Sequence, residues 1–206
     1  MYRVLIVEDT ALEKSALSIA ISQLEGYKII DTVENSENAE ILCLRVPYDL
    51  IIMDIWTQDG SSGLKSADAI KKNNPKIKII IATSMADFTF IKKAREAGCE
   101  SFWYKENTDE LVDIIHRTMA GESVYPDTSP VVKIGEVYSN EFTPRELEVI
   151  KELAESKSYQ EIADELFVSL DTVRQHIKSI YSKTGFHSKG QLINACIISR
   201  LVLPGY

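Results

Sequence analysis

Through the first 120 residues, short apolar runs alternate with stretches in which hydrophobic positions recur every three or four residues. The runs at 2–7, 27–33, 49–53, 77–83 and 101–104 have the length and side-chain content of strands. Leu50-Ile-Ile-Met53 is apolar throughout, as a strand covered on both faces must be. The helical stretches fall at about 11–24, 36–45, 64–73, 87–97 and 108–120. Strict alternation of this kind predicts an α/β fold, doubly wound, with a five-stranded parallel sheet in the order 2-1-3-4-5. Thr10-x-x-Glu13 and Asn107-x-x-Glu110 read as capping boxes opening the first and fifth helices, and Gly98 suits the end of the fourth.

The rhythm breaks at residues 121–140, where prolines, glycines and small polar residues mark a linker between a domain at 1–120 and another at 141–206. Part of it, 131–137, is expected to be extended. Beyond it the pattern is purely helical. Phe142-Thr-Pro-Arg-Glu-Leu147 combines a capping threonine, a first-turn proline, a box-closing glutamate and a hydrophobic staple. Ser158-x-x-Glu161 and Ser188-x-x-Gln191 repeat the box, and Ser169 can cap another helix. A small all-α domain of four helices follows, at about 143–155, 159–166, 170–184 and 189–199. The second and third, joined by Phe167-Val-Ser169, form a helix-turn-helix pattern.

Composition narrows the function classes. No apolar run approaches the roughly 20 residues of a membrane span, and the N-terminus turns acidic at Glu8-Asp9 too early for a secretory signal. The expected location is the cytoplasm, with no membrane partner. Cys43, Cys99 and Cys196 are far apart and odd in number, which points to reduced thiols. The dispersed His116, His176 and His187 argue against a zinc site. Net charge is −8, divided as −6 over 1–125 and −2 over 126–206, yet 172–190 holds Arg174, Lys178, Lys183 and Lys189 with no acid. Local charge governs phosphate contact more than the total does.

The chemistry gathers at strand ends. Glu8 and Asp9 end the first strand, Asp54 the third, Thr83 the fourth, and Lys105 follows the fifth. In an open parallel sheet, ligands bind beyond the carboxyl ends of the strands. Converging carboxylates repel one another unless a hard cation such as Mg²⁺ joins them. A carboxylate nucleophile, a metal, a hydroxyl and an ammonium are what a transferred phosphoryl group requires. Acids after strands also cap helices, so each residue alone is weak evidence; five at matching ends are not.

These residues, with Phe102 three before Lys105, resemble the CheY-like receiver domain of two-component response regulators over roughly 1–120. The resemblance implies that Asp54 is the phosphoacceptor, served by a sensor histidine kinase. It implies Mg²⁺ on Asp9, Asp54 and the Trp56 backbone carbonyl, with Glu8 acting through water. Thr83 and Lys105 would hold the phosphoryl group, and Phe102 would be the aromatic switch, although a buried Phe on a strand is also simply core. Two features depart from the family pattern: Thr57-Gln58 stand where Met-Pro is frequent, and bulky Trp56 and Met85 border the site. The bulk is expected to obstruct hydrolytic water, unless Trp56 packs on the neighbouring loop and leaves the path open.

On the helix at 170–184, Val173, Ile177 and Ile180 share a face, while Arg174, Lys178 and Tyr181 share another. Periodicity alone leaves a solvated basic face as open as a DNA-reading one. Phe142-Thr-Pro-Arg-Glu146, Tyr159-Gln-Glu-Ile-Ala163, Ser169-x-x-Thr-Val-Arg-Gln-His176 and Lys183-Thr-Gly185 closely resemble the LuxR/NarL-type DNA-binding domain. The resemblance implies that Arg174, Gln175 and Lys178 face the major groove of double-stranded DNA, with Thr172, His176 and Lys183 near the backbone. The helix at 189–199 would dimerise, or its Leu192, Ile193, Cys196 and Ile197 are only core. The expected protein is a NarL/FixJ-type response regulator, not an enzyme, which when phosphorylated forms a homodimer or else releases its DNA-binding domain. A haloacid dehalogenase-class phosphatase would need a second acid where Trp56 stands. The intact acids and Lys105 argue against a constitutive, unphosphorylated regulator, and the Arg174/Lys178 face argues against a pure interaction protein.

Overall fold

A computed structural model of the chain describes residues 1–57, 59–87, 89–106 and 108–202. The chain divides into two compact units, one of residues 1–84 and 88–128, the other of 129–206 with the short segment 85–87.

The first unit runs β1 (Tyr2–Val7), α1 (Ala11–Ser22), β2 (Tyr27–Val33), α2 (Ser36–Cys43), β3 (Leu50–Asp54), α3 (Gly63–Asn73), β4 (Lys78–Thr83), α4 (Thr89–Glu96), β5 (Ser101–Tyr104) and α5 (Thr108–Met119). The sheet order is β2-β1-β3-β4-β5, parallel throughout. Every residue of β3 is buried, as its apolar run requires. Val4, Ile6, Leu50, Ile52 and Ile80 pack on one face against Leu17 and Ile21 of α1 and Leu111 and Ile114 of α5. Register then decides what lies at the sheet's end. Val7 pairs with Met53, Asp54 with Ala82, and Thr83 with Tyr104. Glu8, Asp54, Thr83 and Lys105 therefore emerge side by side.

The box expected at the start of α1 does not form. Thr10 occupies the cap position but its side chain accepts no capping hydrogen bond. Its hydroxyl donates instead to Asp9 Oδ1 at 3.2 Å, and Glu13 is drawn to Lys105. Asn107, expected to open α5, lies outside the described residues, as does Gln58.

The stretch read as a linker is divided between the units. Val124 lies along the edge strand β5, donating to Ser101 Oγ and accepting from the Phe102 N–H. Tyr125 donates its hydroxyl to the Cys99 carbonyl, and the Arg95 guanidinium sits 3.8 Å over its ring. An exposed sheet edge is thereby covered.

The second unit opens with a hairpin, β6 (Lys133–Ile134) and β7 (Val137–Tyr138), a 3₁₀ turn at Ser139–Glu141, and then α6 (Pro144–Ala154), α7 (Tyr159–Glu165), α8 (Leu170–Thr184) and α9 (Lys189–Ile198). Here the capping signals are realised. Thr143 and Glu146 form a reciprocal box, as do Ser158 and Glu161, while Ser169 and Ser188 cap α8 and α9. Ile134, Phe142, Val149, Ile162, Val173, Ile177, Ile180, Leu192 and Cys196 share the core. Leu192 and Cys196 thus belong to the unit's interior, while Ile198 is exposed.

Cys43, Cys99 and Cys196 are free and buried. Burial pushes the Cys43 thiol up to about 11 and the other two up to about 12.

Candidate functional site

At the carboxyl end of the sheet, Lys105 is the centre of the geometry. Its side chain is only 5% exposed, and its backbone N–H donates to the Thr83 carbonyl at 2.8 Å, which fixes the β5 end against the β4 end. Its Nζ meets Glu8, lies 2.8 Å from Glu13 Oε2 and lies 3.0 Å from Asp54 Oδ2. Glu8 is fully buried, and its other oxygen accepts the Thr10 N–H at 2.9 Å.

The charges do not balance. One ammonium faces three carboxylates, two of them buried. Burial pushes the Asp54 carboxyl up to about 7; the Lys105 ammonium pulls against that and Glu8 adds to it. Burial alone would lower the Lys105 proton affinity, but Asp54 and Glu8 outweigh it and hold the ammonium above its ordinary value. Ligand oxygens of Glu8, Glu13 and Asp54 lie within 4.8 Å of one another. Three hard oxygen donors with surplus negative charge fit a small divalent cation such as Mg²⁺.

The structure thus brings together Glu8, Asp54 and Lys105, with Thr83 buried at the adjoining strand end. Asp9 is half-buried at the turn before α1 and is not in the carboxylate trio; Glu13, absent from the sequence expectation, takes that place. Trp56 is half-buried, its ring edge-on to Phe90 of α4 at 6.4 Å, and Met85 is buried. Phe102 is buried on β5 beside Tyr104, ring centroids 5.0 Å apart, and Tyr125, 6.5 Å apart. Gly63, also missed from sequence, donates to the Ile55 carbonyl at 2.8 Å; a Cβ there would stand 1.8 Å from the Asp54 carbonyl oxygen.

In the second unit, α7 and α8 meet through a turn in which Phe167 adopts φ +55° and is 95% exposed. Val173, Ile177 and Ile180 face the core, leaving Arg174, Gln175 and Lys178 exposed on α8. Arg174 pairs with Asp171 at 3.0 Å on that outer face. Thr172 and His176 are half-buried. Lys183 is committed inward. Its Nζ donates to Glu146 Oε2 at 2.7 Å and to the Glu141 carbonyl at 2.9 Å. Glu146 also accepts from Ser179 Oγ at 2.7 Å and from the Thr143 N–H at 2.8 Å. Burial would raise the Glu146 carboxyl, but the bonds from Lys183, Ser179 and Thr143 prevail and hold it down to about 2.

A doubly wound domain with an ammonium amid acids at the strand ends, followed by a helix-turn-helix unit, defines a class: a receiver-like domain joined to a helix-turn-helix domain. The chain belongs to the response regulators, since residues 4–116 match the family model described as the response regulator receiver domain. Residues 140–196 match that of the bacterial regulatory proteins of the luxR family. The response regulator protein VraR of Staphylococcus epidermidis is 27% identical over 198 residues, covering 93% of this chain and 94% of VraR. Among solved structures, an RcsB–DNA complex superposes with a TM-score of 0.62 at 20% identity, over 97% of this chain and 98% of that one. RcsB of Salmonella typhimurium superposes at 0.56 with 18% identity, over 96% and 98%. No helix among the described residues is long and apolar enough to cross a membrane.

Proposed function

We propose that Asp54 accepts a phosphoryl group from a sensor histidine kinase and that the phosphorylated protein, as a homodimer, regulates transcription by binding DNA through α8. The observation that carries this reading is the buried Lys105 ammonium amid Glu8, Glu13 and Asp54, with an excess of negative charge. An Asp54 oxygen forms the bond to phosphorus as the phosphohistidine P–N bond breaks. Lys105 and Thr83 serve the phosphoryl oxygens. Asp54, Asp9, the Trp56 carbonyl and, through water, Glu8 would hold Mg²⁺, which would supply charge neutralisation there. Phe102 is the aromatic that moves with Thr83. On DNA, Arg174, Gln175 and Lys178 meet the major groove, with Thr172 and His176 near the backbone. The inward commitment of Lys183 gives it chiefly a scaffolding task beside that groove. RcsB has been solved as dimers on DNA. A two-fold dimer of this chain would place its α8 helices about 34 Å apart, one DNA turn. The protein is expected to work in the cytoplasm, without enzymatic turnover of its own.

Solution mass tests the reading, measured with Mg²⁺ and with or without beryllofluoride, a mimic of aspartyl phosphate. Wild type is expected to dimerise with the mimic and Asp54→Asn to stay monomeric. A mimic that binds neither, or both alike, overturns Asp54 as acceptor.

A further inference from the structure

Glu13 shares the carboxylate trio with Glu8 and Asp54, and it is also a direct partner of Lys105. An ammonium has three N–H donors. All three are directed at carboxylates: Glu8, Glu13 at 2.8 Å and Asp54 at 3.0 Å. Glu8 and Asp54 are spoken for by the metal and the phosphoryl group. Glu13 is the carboxylate whose place on Lys105 a phosphoryl oxygen must take.

Its position is held from two sides. The residue sits in the first turn of α1, and its Oε1 accepts from Ser84 Oγ at 3.3 Å, just beyond the end of β4. Ser84 follows Thr83, whose carbonyl accepts the Lys105 N–H. The side chain is 28% exposed against 5% for Lys105, so Glu13 stands at the mouth with its charge partly desolvated. The Thr10 N–H that a capping box would direct to Glu13 donates to Glu8, and Glu13 meets Lys105.

We propose that Glu13 is a positioning residue that holds Lys105 in the resting site and opposes entry of the phosphoryl group, setting the threshold at which Asp54 is phosphorylated. This rests on Asp54 being the acceptor. The anion must displace Glu13 from Lys105 and then remain near its charge. Removing that charge eases entry of an anion and weakens binding of a cation. A structural lesion would weaken both, so the two effects differ in sign.

The test titrates full-length protein with beryllofluoride at saturating Mg²⁺, and separately with Mg²⁺ alone, by tryptophan fluorescence. With Glu13→Gln, the mimic's half-saturating concentration should fall about tenfold, while that of Mg²⁺ alone rises, as expected of one charge a few ångströms away in a partly screened site. Glu13→Asp keeps the charge but shortens the reach, so it should follow Glu13→Gln toward tighter mimic binding. An unchanged or weaker response in Glu13→Gln overturns the proposal. So does Glu13→Asp behaving as wild type, which would reduce the effect to plain repulsion. Wild type that fails to bind the mimic, or Asp54→Asn that binds it equally, would refute the acceptor reading and this proposal with it.

Discussion

Two largely buried lysines show how charge balance separates scaffold from site. Lys71 donates to the Pro75 and Ile77 carbonyls and pairs with Glu100, whose second oxygen takes the Ile79 N–H. That lysine meets two neutral carbonyls and one opposite charge. Lys105 faces three acids, and the surplus destabilises the resting site. Asp54 is more readily protonated folded, at about 7, than at its ordinary 3.8. Between those values the folded state binds more protons, so stability falls as pH rises, and above the upper value the whole penalty stands. Asp54→Asn should therefore raise metal-free stability at pH 8 by about 1–3 kcal/mol, with the gain vanishing near pH 4 in urea melts. No gain at pH 8 would contradict the burial argument. Glu146 has the opposite sign. Its carboxyl is held at about 2 against 4.5, so its contribution is complete above the higher value and is lost as pH falls toward the lower. Glu146→Gln should cost the second unit about 2–3 kcal/mol at pH 7 and flatten its acid transition. Asp54, Lys105 and Thr83 were legible in sequence because strand ends are. Glu13 was not, because its spacing after Thr10 read as a cap. The inward turn of Lys183 was hidden because its partner Glu146 lies on another helix.

At the level of elements, the apolar runs and box motifs placed strands and helices to within a few residues, because burial and capping are local signals. What they do not reveal is close tertiary approach. Gly63 carries no positive φ, and nothing nearby in sequence asks for glycine. The demand comes from the Asp54 carbonyl, packed where a Cβ would be. Gly63→Ala should cost about 3 kcal/mol or more and displace the loop after β3, weakening Mg²⁺ binding. A urea midpoint within experimental error of wild type would show that α3 can retreat without consequence. The cover over β5 was equally illegible, because Val124 binds by its backbone.

For the whole molecule, the acidic total and the local basic helix act at different ranges. The net −8 repels DNA at a distance, and salt screens that repulsion. Contacts of α8 with phosphates would instead release counterions. Lys178→Ala should lower DNA affinity and reduce the salt slope by about 1 if it neutralises a phosphate. Loss of discrimination at one base pair would assign it to base reading, and unchanged affinity would remove it from the interface.

The buried cysteines have a practical consequence. Cys43 and Cys99 belong to the first unit and Cys196 to the core of the second. Each becomes reactive only when its surroundings open, so the protein carries its own clocks for the breathing of each half. Alkylation timed residue by residue by mass spectrometry should show whether the halves open together or apart. Occupying the Asp54 site with Mg²⁺ and beryllofluoride should slow Cys43 and Cys99 first; if Cys196 slows equally, the two halves open as one.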